Sequence, residues 1–151
     1  MDAPHFPDPT DTELLRIEQA HPHLRVEEEA LRRRIRRVAE GEDARLAALT
    51  VVLTGHDDVL ELNREHLEHD YVTDVLSFAL SEDDASVSGE IYVDLDTARE
   101  RHEEFDASFE EEVHRYVVHG LLHLMGYDDR TSEGEAAMRR REDRYLRVNK
   151  T

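Results

Sequence analysis

The chain has 151 residues, room for one compact domain with a real core and too few for two of ordinary size. It contains no cysteine, which excludes disulfide frameworks and thiolate zinc modules and leaves histidine and carboxylate as ligands for any transition metal. Carboxylates outnumber basic residues 37 to 19, for a formal charge of -18, so a polyanionic partner is attracted only by local basic patches; no apolar run reaches the length of a membrane span.

The start, MDAPHFPDPTDTE, has neither the basic nor the apolar region of a secretory signal, and a cytoplasmic protein is expected. Lys150 is the only lysine. The acid excess serves solubility, and it also suits a high-salt cytosol, where screening weakens repulsion.

The first ten residues hold three of the four prolines and read as an arm before a first strand. VEEEALRRRIRRVA (26–39) places Val26, Ala30, Leu31, Ile35 and Val38 near helical spacing, with Gly41 as a stop. LAALTVVLTG (46–55) is rich in β-branched residues and reads as a buried strand. Asp57 or Asp58 then caps a helix to about His66. VLSFAL (75–80) and GEIYVDL (89–95) read as strands close enough to form a hairpin across a polar loop. A helical pattern follows Asp96. Ser108 with Glu111 is a capping-box signature for a long apolar helix ending near Met125, and Ser132 with Glu135 repeats it for an arginine-rich C-terminal helix. The sum is an α+β fold: a small mixed sheet of about four strands packed with about five helices, in a single domain over 1–151.

Chemistry concentrates in HGLLHLMGYDD (119–129). His119 and His123 are four apart on a helix, so two imidazoles lie one turn apart on one face and can chelate one ion. Gly126 can end the helix in a left-handed conformation and deliver Asp129 as a third ligand. An arbitrary histidine pair at this spacing is more often structural; the glycine and the carboxylate behind it reverse that balance. The layout follows the long zinc-protease motif, but Gly120 stands where those enzymes carry their general-base glutamate, which disfavours a peptidase. Three protein ligands leave coordination positions open for water or a phosphate oxygen. His114, His66 and His69 have no comparable support. The runs Arg32, Arg33, Arg34, Arg36, Arg37 and Arg139, Arg140, Arg141, Arg144, Arg147 can contact phosphates or pair with neighbouring glutamates, and the second reading is favoured for the C-terminal run.

At these residues the chain resembles the YbeY family of bacterial endoribonucleases. The family signature HG-x-LHL-x-GYDH appears as HGLLHLMGYDD, and a second segment as Leu62-Asn63, Asp70 and TDVLSF (73–78); the GEIYVDL strand and Glu112 also match. The resemblance implies an α+β fold, one divalent ion, usually zinc, and hydrolysis of single-stranded RNA in ribosomal RNA maturation at the 16S 3′ end and in quality control of the ribosome and its small subunit. It aligns Asp128 with the aspartate of GYDH and Asp129 with its final histidine, so Asp129 takes the ligand position. Glu112 is then a base or, preferably, the group that orients His119. Many members have an arginine where this chain has Leu67, and Arg64, one turn earlier, is the candidate to replace it; Val72 stands at a common proline. A ribosome-associated assembly factor with a mainly structural metal is the alternative.

Overall fold

The computed structural model describes residues 15–67, 74–80 and 86–147, without the side chains of His66 and Leu67. The proline-rich arm, His69, Asp70, Val72 and Lys150 lie outside the described residues.

Four strands form one sheet in the order β1-β2-β4-β3, from β1 (Leu15–Gln19), β2 (Arg45–Thr54), β3 (Val75–Ala79) and β4 (Ser86–Asp94). β1 and β4 flank β2 in parallel, and β3 closes the edge antiparallel to β4, the hairpin expected from sequence. Alternation sorts the side chains: Val51, Leu53, Ile91 and Val93 are fully buried on one face, while Val52 and Tyr92 point to the other. α4 (Phe109–Leu124) packs on β3 and β4, with α1 (Glu28–Gly41) and α5 (Ser132–Arg147) against it. α2 (His56–Leu67) contacts β3, β4 and α3 (Leu95–Arg101), and Leu62 lines a groove with Val52 and Tyr92.

Local chemistry explains the ends. Glu27 caps α1, its carboxylate accepting from the Glu29 and Ala30 amides, so the helix begins two residues later than its apolar pattern. α2 begins at His56, whose amide donates to Asp96, ahead of the aspartates expected to cap it. The Ser108–Glu111 capping box forms in both directions, at 3.0 and 2.9 Å. The second expected box does not. The hydroxyl oxygen of Thr131, one residue before Ser132, already accepts from the Gly134 amide at 2.9 Å, and α5 starts on that cap.

Part of the arginine run of α1 is folded inward, while Arg33 and Arg37 stay exposed. Arg34 is buried and donates to the Tyr145 and Leu146 carbonyls at the C-terminal end of α5 and to His114 Nδ1. Arg32 donates to the Leu15 carbonyl. A guanidinium at a helix C-terminus satisfies carbonyls that have no partner within the helix.

Candidate metal centre

α4 carries both histidines on its last two turns, while its Val113, Val117 and Leu121 are buried in the core. The rings of His119 and His123 meet edge to face, 4.6 Å between centroids. Beyond Leu124 the chain forms a Schellman turn: Tyr127 N–H donates to the Leu122 carbonyl and Gly126 N–H to that of His123. Gly126 has φ 103, a value costly for any side-chain-bearing residue. The turn folds Asp129 back over the final helical turn, 3.4 Å from His119 Nε2 and 3.5 Å from His123 Nε2. One ligand atom from each of the three residues falls within 4.8 Å of the others.

The partners of the other ring nitrogens orient both rings. His119 Nδ1 faces the Glu142 carboxylate at 2.7 Å, and His123 Nδ1 faces the Tyr127 carbonyl at 3.1 Å. Neither partner has a proton to give, so both Nδ1 atoms donate, and each Nε2 is turned toward Asp129. Those two Nε2 atoms are 3.0 Å apart. At that distance a proton or a metal ion between the rings relieves the repulsion of facing lone pairs, and the Asp129 carboxylate adds a negative edge. Two imidazoles and one carboxylate on an exposed side of the molecule match the donor set of a divalent zinc-type ion with open positions.

Glu142, from α5, is the support absent from the sequence-derived candidates. It is 5% exposed, and its second oxygen accepts from Arg115 at 2.9 Å; Arg115 also holds Asp143 at 2.8 Å. Burial depresses the His119 imidazole, but Glu142, followed by Asp129 and Asp74, more than reverses this and raises its pKa. Glu112 therefore does not orient His119. It is buried on α4, lining a cavity of about 420 Å³ with His119, Asp129, Asp74, Tyr116, Arg101, Arg115 and Arg139. Burial raises the Asp74 carboxyl above the ordinary range, with His119 opposing. Burial, then the neighbouring Glu112 carboxylate, raises the pKa of the Tyr116 hydroxyl.

The turn is braced from behind. Glu42, just past α1, accepts from the hydroxyls of Tyr127, at 2.6 Å, and Tyr145, and from Arg141 at 3.0 Å; the Arg141 guanidinium lies 4.5 Å over the Tyr127 ring. These bonds hold the Glu42 pKa low against the opposing effect of its burial. Asp128 points elsewhere, engaged by Arg130 Nε at 2.7 Å on the surface. His114 faces Arg34 of α1, not the cluster. Arg64 is exposed on α2, in a shallow groove with Asp57, Leu60, Glu61 and Glu65, and does not line the cavity. Gly120 faces the sheet: a Cβ there would lie 2.8 Å from Ser77 Oγ and 3.0 Å from Ile91 Cγ2. The position at which zinc peptidases carry their base is here packed directly against β3 and β4.

An i, i+4 histidine pair at a helix end, a carboxylate from the following turn and a buried acid behind the first ring form, on an α+β fold, a donor set able to hold a metal ion in a hydrolase site. Residues 16–150 match the family model described as Endoribonuclease YbeY. The chain is 50% identical to an Endoribonuclease YbeY of Salinibacter ruber, over 95% of this chain and 93% of that one, and 41% identical to that of Chlorobaculum tepidum, over 80% and 88%. The solution structure of TM1509 from Thermotoga maritima shares the fold at a TM-score of 0.61, with 31% identity, over 88% of this chain and 87% of that one. The chain belongs to the YbeY endoribonuclease family.

Proposed function

We propose that residues 1–151 form one domain that cleaves single-stranded RNA internally with the help of one divalent ion, zinc by preference, held by His119, His123 and Asp129. The observation that carries this reading is the pair of Nε2 atoms 3.0 Å apart under the Asp129 carboxylate. Family membership supports RNA as the substrate. Maturation of rRNA at the small ribosomal subunit, in the cytoplasm, is the setting the reading assigns. No helix among the described residues is long and apolar enough to cross a membrane.

A divalent ion at this site supplies Lewis acidity toward a phosphoryl oxygen and acidifies bound water. The protein's own groups divide the remaining work. Glu142 and the Tyr127 carbonyl fix both ring tautomers and orientations. Glu112 lines the cavity beside His119, where a carboxylate can accept a proton from an attacking oxygen. Arg101 and Arg139 line the same cavity and offer positive charge to the phosphates. Arg64 stays a proposal for RNA contact outside the cavity. Cleavage unchanged by Arg64→Ala, with unchanged RNA affinity, removes it. A peptidase finds no support at Gly120, whose position is filled by the sheet.

The deciding experiment incubates metal-loaded protein with single-stranded and duplex RNA, with and without chelator. Single-strand cleavage abolished by chelator and restored by zinc is expected. Cleavage indifferent to exhaustive metal removal would overturn the metal-dependent reading, and metal binding without any cleavage would leave a structural ion in an assembly factor.

A further inference from the structure

The cavity at the metal centre has a neighbour. A second cavity, of about 360 Å³, is lined by Arg34, Leu146 and Arg147 among others, and the two share Phe105, Ala107 and Arg115. Phe105 thus stands on the wall between them. It ends the short 3₁₀ turn His102–Phe105, and Asp106 behind it, at φ 54, turns the chain toward α4.

Phe105 is 49% exposed. Among the described residues one other large apolar side chain is exposed, Leu80, which lines neither cavity. The Arg101 guanidinium lies over the Phe105 ring at 5.2 Å and lines the metal-centre cavity. Arg139 lines that cavity too, with no ion pair or hydrogen bond among the described residues. A half-exposed aromatic ring with one guanidinium over it and a second lining the same cavity, between two hollows, has the chemistry of a single-strand track: base on ring, phosphates on cations.

We propose that Phe105 is a base-stacking platform, on which one unpaired RNA base lies while the adjoining phosphates pass Arg101 and Arg139 toward His119 and Asp129. The proposal rests on the endoribonuclease reading and adds to it the residue that selects single strands. A base inside a duplex is already stacked and paired, and cannot cover the ring.

The test uses full-length, metal-loaded protein and a fluorescent single-stranded RNA oligonucleotide of mixed sequence. Phe105→Ala should raise KM about tenfold, within the range that base–aromatic stacking supplies, and change kcat by less than about twofold. Phe105→Trp should restore KM, and Leu80→Ala should leave it at the wild-type value. An abasic nucleotide moved along the oligonucleotide should weaken wild type at one position and have no further effect there in Phe105→Ala. An unchanged KM in Phe105→Ala, or equal abasic penalties in both proteins, overturns the proposal. If wild type cleaves no RNA, the endoribonuclease reading fails separately. Anisotropy of the bound oligonucleotide then reads stacking alone, and equal Kd values for wild type and Phe105→Ala overturn the platform.

Discussion

Replacing Glu142 by glutamine removes a charge and almost nothing else. The native carboxylate accepts from His119 Nδ1 at 2.7 Å and Arg115 at 2.9 Å. An amide has one oxygen and one NH2 group, so whichever way it turns, a donor faces a donor. With the oxygen toward Arg115, His119 is driven to the tautomer that protonates Nε2, the atom needed for the ion. With the oxygen toward His119, Arg115 loses this bond and keeps only Asp143. Either arrangement forfeits a charge-assisted hydrogen bond in a buried setting, about 1.5–3 kcal/mol. Ten- to hundredfold weaker metal binding, roughly 1.4–2.7 kcal/mol, is the usual effect of losing such a partner, and the two figures agree. Competition with a chromogenic chelator measures zinc affinity, and the thermal midpoint of the metal-free form checks folding. Glu112→Gln should leave that affinity within about threefold of wild type, because Glu112 does not touch the ring that binds. Wild-type affinity in both Glu142→Gln and Glu142→Ala would refute the positioning role.

The third ligand is tested by Asp129→Ala, which should abolish tight zinc binding, and Asp129→His, which should retain it; Asp128→Ala should stay near wild type because Asp128 is engaged by Arg130. Equal affinity in wild type and Asp129→Ala would place the ligand elsewhere. Gly120→Ala should cost about 1–3 kcal/mol in urea unfolding, since its Cβ would sit 2.8 Å from Ser77 Oγ; a neutral substitution would show that β3 gives way freely. Burial, then the Arg34 charge, lowers the His114 pKa to about 4 from 6.5, with Glu27 and Glu111 opposing. Between those values the unfolded chain binds a proton that the folded chain refuses, so this stability is fully present above pH 6.5 and falls by roughly 3 kcal/mol toward pH 4. Metal-free wild type and His114→Gln, unfolded in urea at both ends of that range, should differ in pH dependence by that amount; parallel curves would refute the assignment.

What the sequence discloses of the fold is what local spacing dictates. The apolar repeats of α1 and α4, the β-branched run of β2 and the hairpin β3–β4 all follow from neighbours along the chain. β1 has five residues, and its alternation of Leu15 and Ile17 is too short to read without the parallel partner that pairs with it. The ends of α1, α2 and α5 shift by one or two residues because Glu27, the Asp96 carboxylate and Thr131 supply caps that an apolar pattern does not count.

The same division runs through the site. His119, His123, Gly126 and Asp129 belong to one helix end and its turn, and their meeting is local geometry. Glu142 comes 23 residues after His119, and only the packing of α5 on α4 brings the two together. A signal was nonetheless present: Met138, Glu142 and Tyr145 are the buried stripe of α5, and a carboxylate on such a stripe requires a partner. Glu42 gives a weaker one, since nothing near it in sequence points to two tyrosines and an arginine from distant segments.

A net charge of -18 and a polyanionic substrate are reconciled by where the arginines go. Arg34 holds the end of α5, Arg115 holds Glu142 and Asp143, and Arg141 holds Glu42. Within the two arginine runs Arg32, Arg34 and Arg141 are thus engaged by the fold, while Arg33, Arg37, Arg139, Arg140, Arg144 and Arg147 are exposed; the proposed track uses Arg101 and Arg139. Two phosphates neutralised on a single strand give a slope of log affinity against log salt of about -1.4. Salt also screens the repulsion between RNA and the acidic surface, which acts in the opposite direction and flattens the slope further. Binding of a single-stranded oligonucleotide to metal-loaded Glu112→Gln, followed by anisotropy from low to high salt, should therefore show a slope no steeper than about -1.4. A slope steeper than about -4 would require six or so phosphate contacts, more than the cavity arginines supply, and would put the arginine runs back on the RNA.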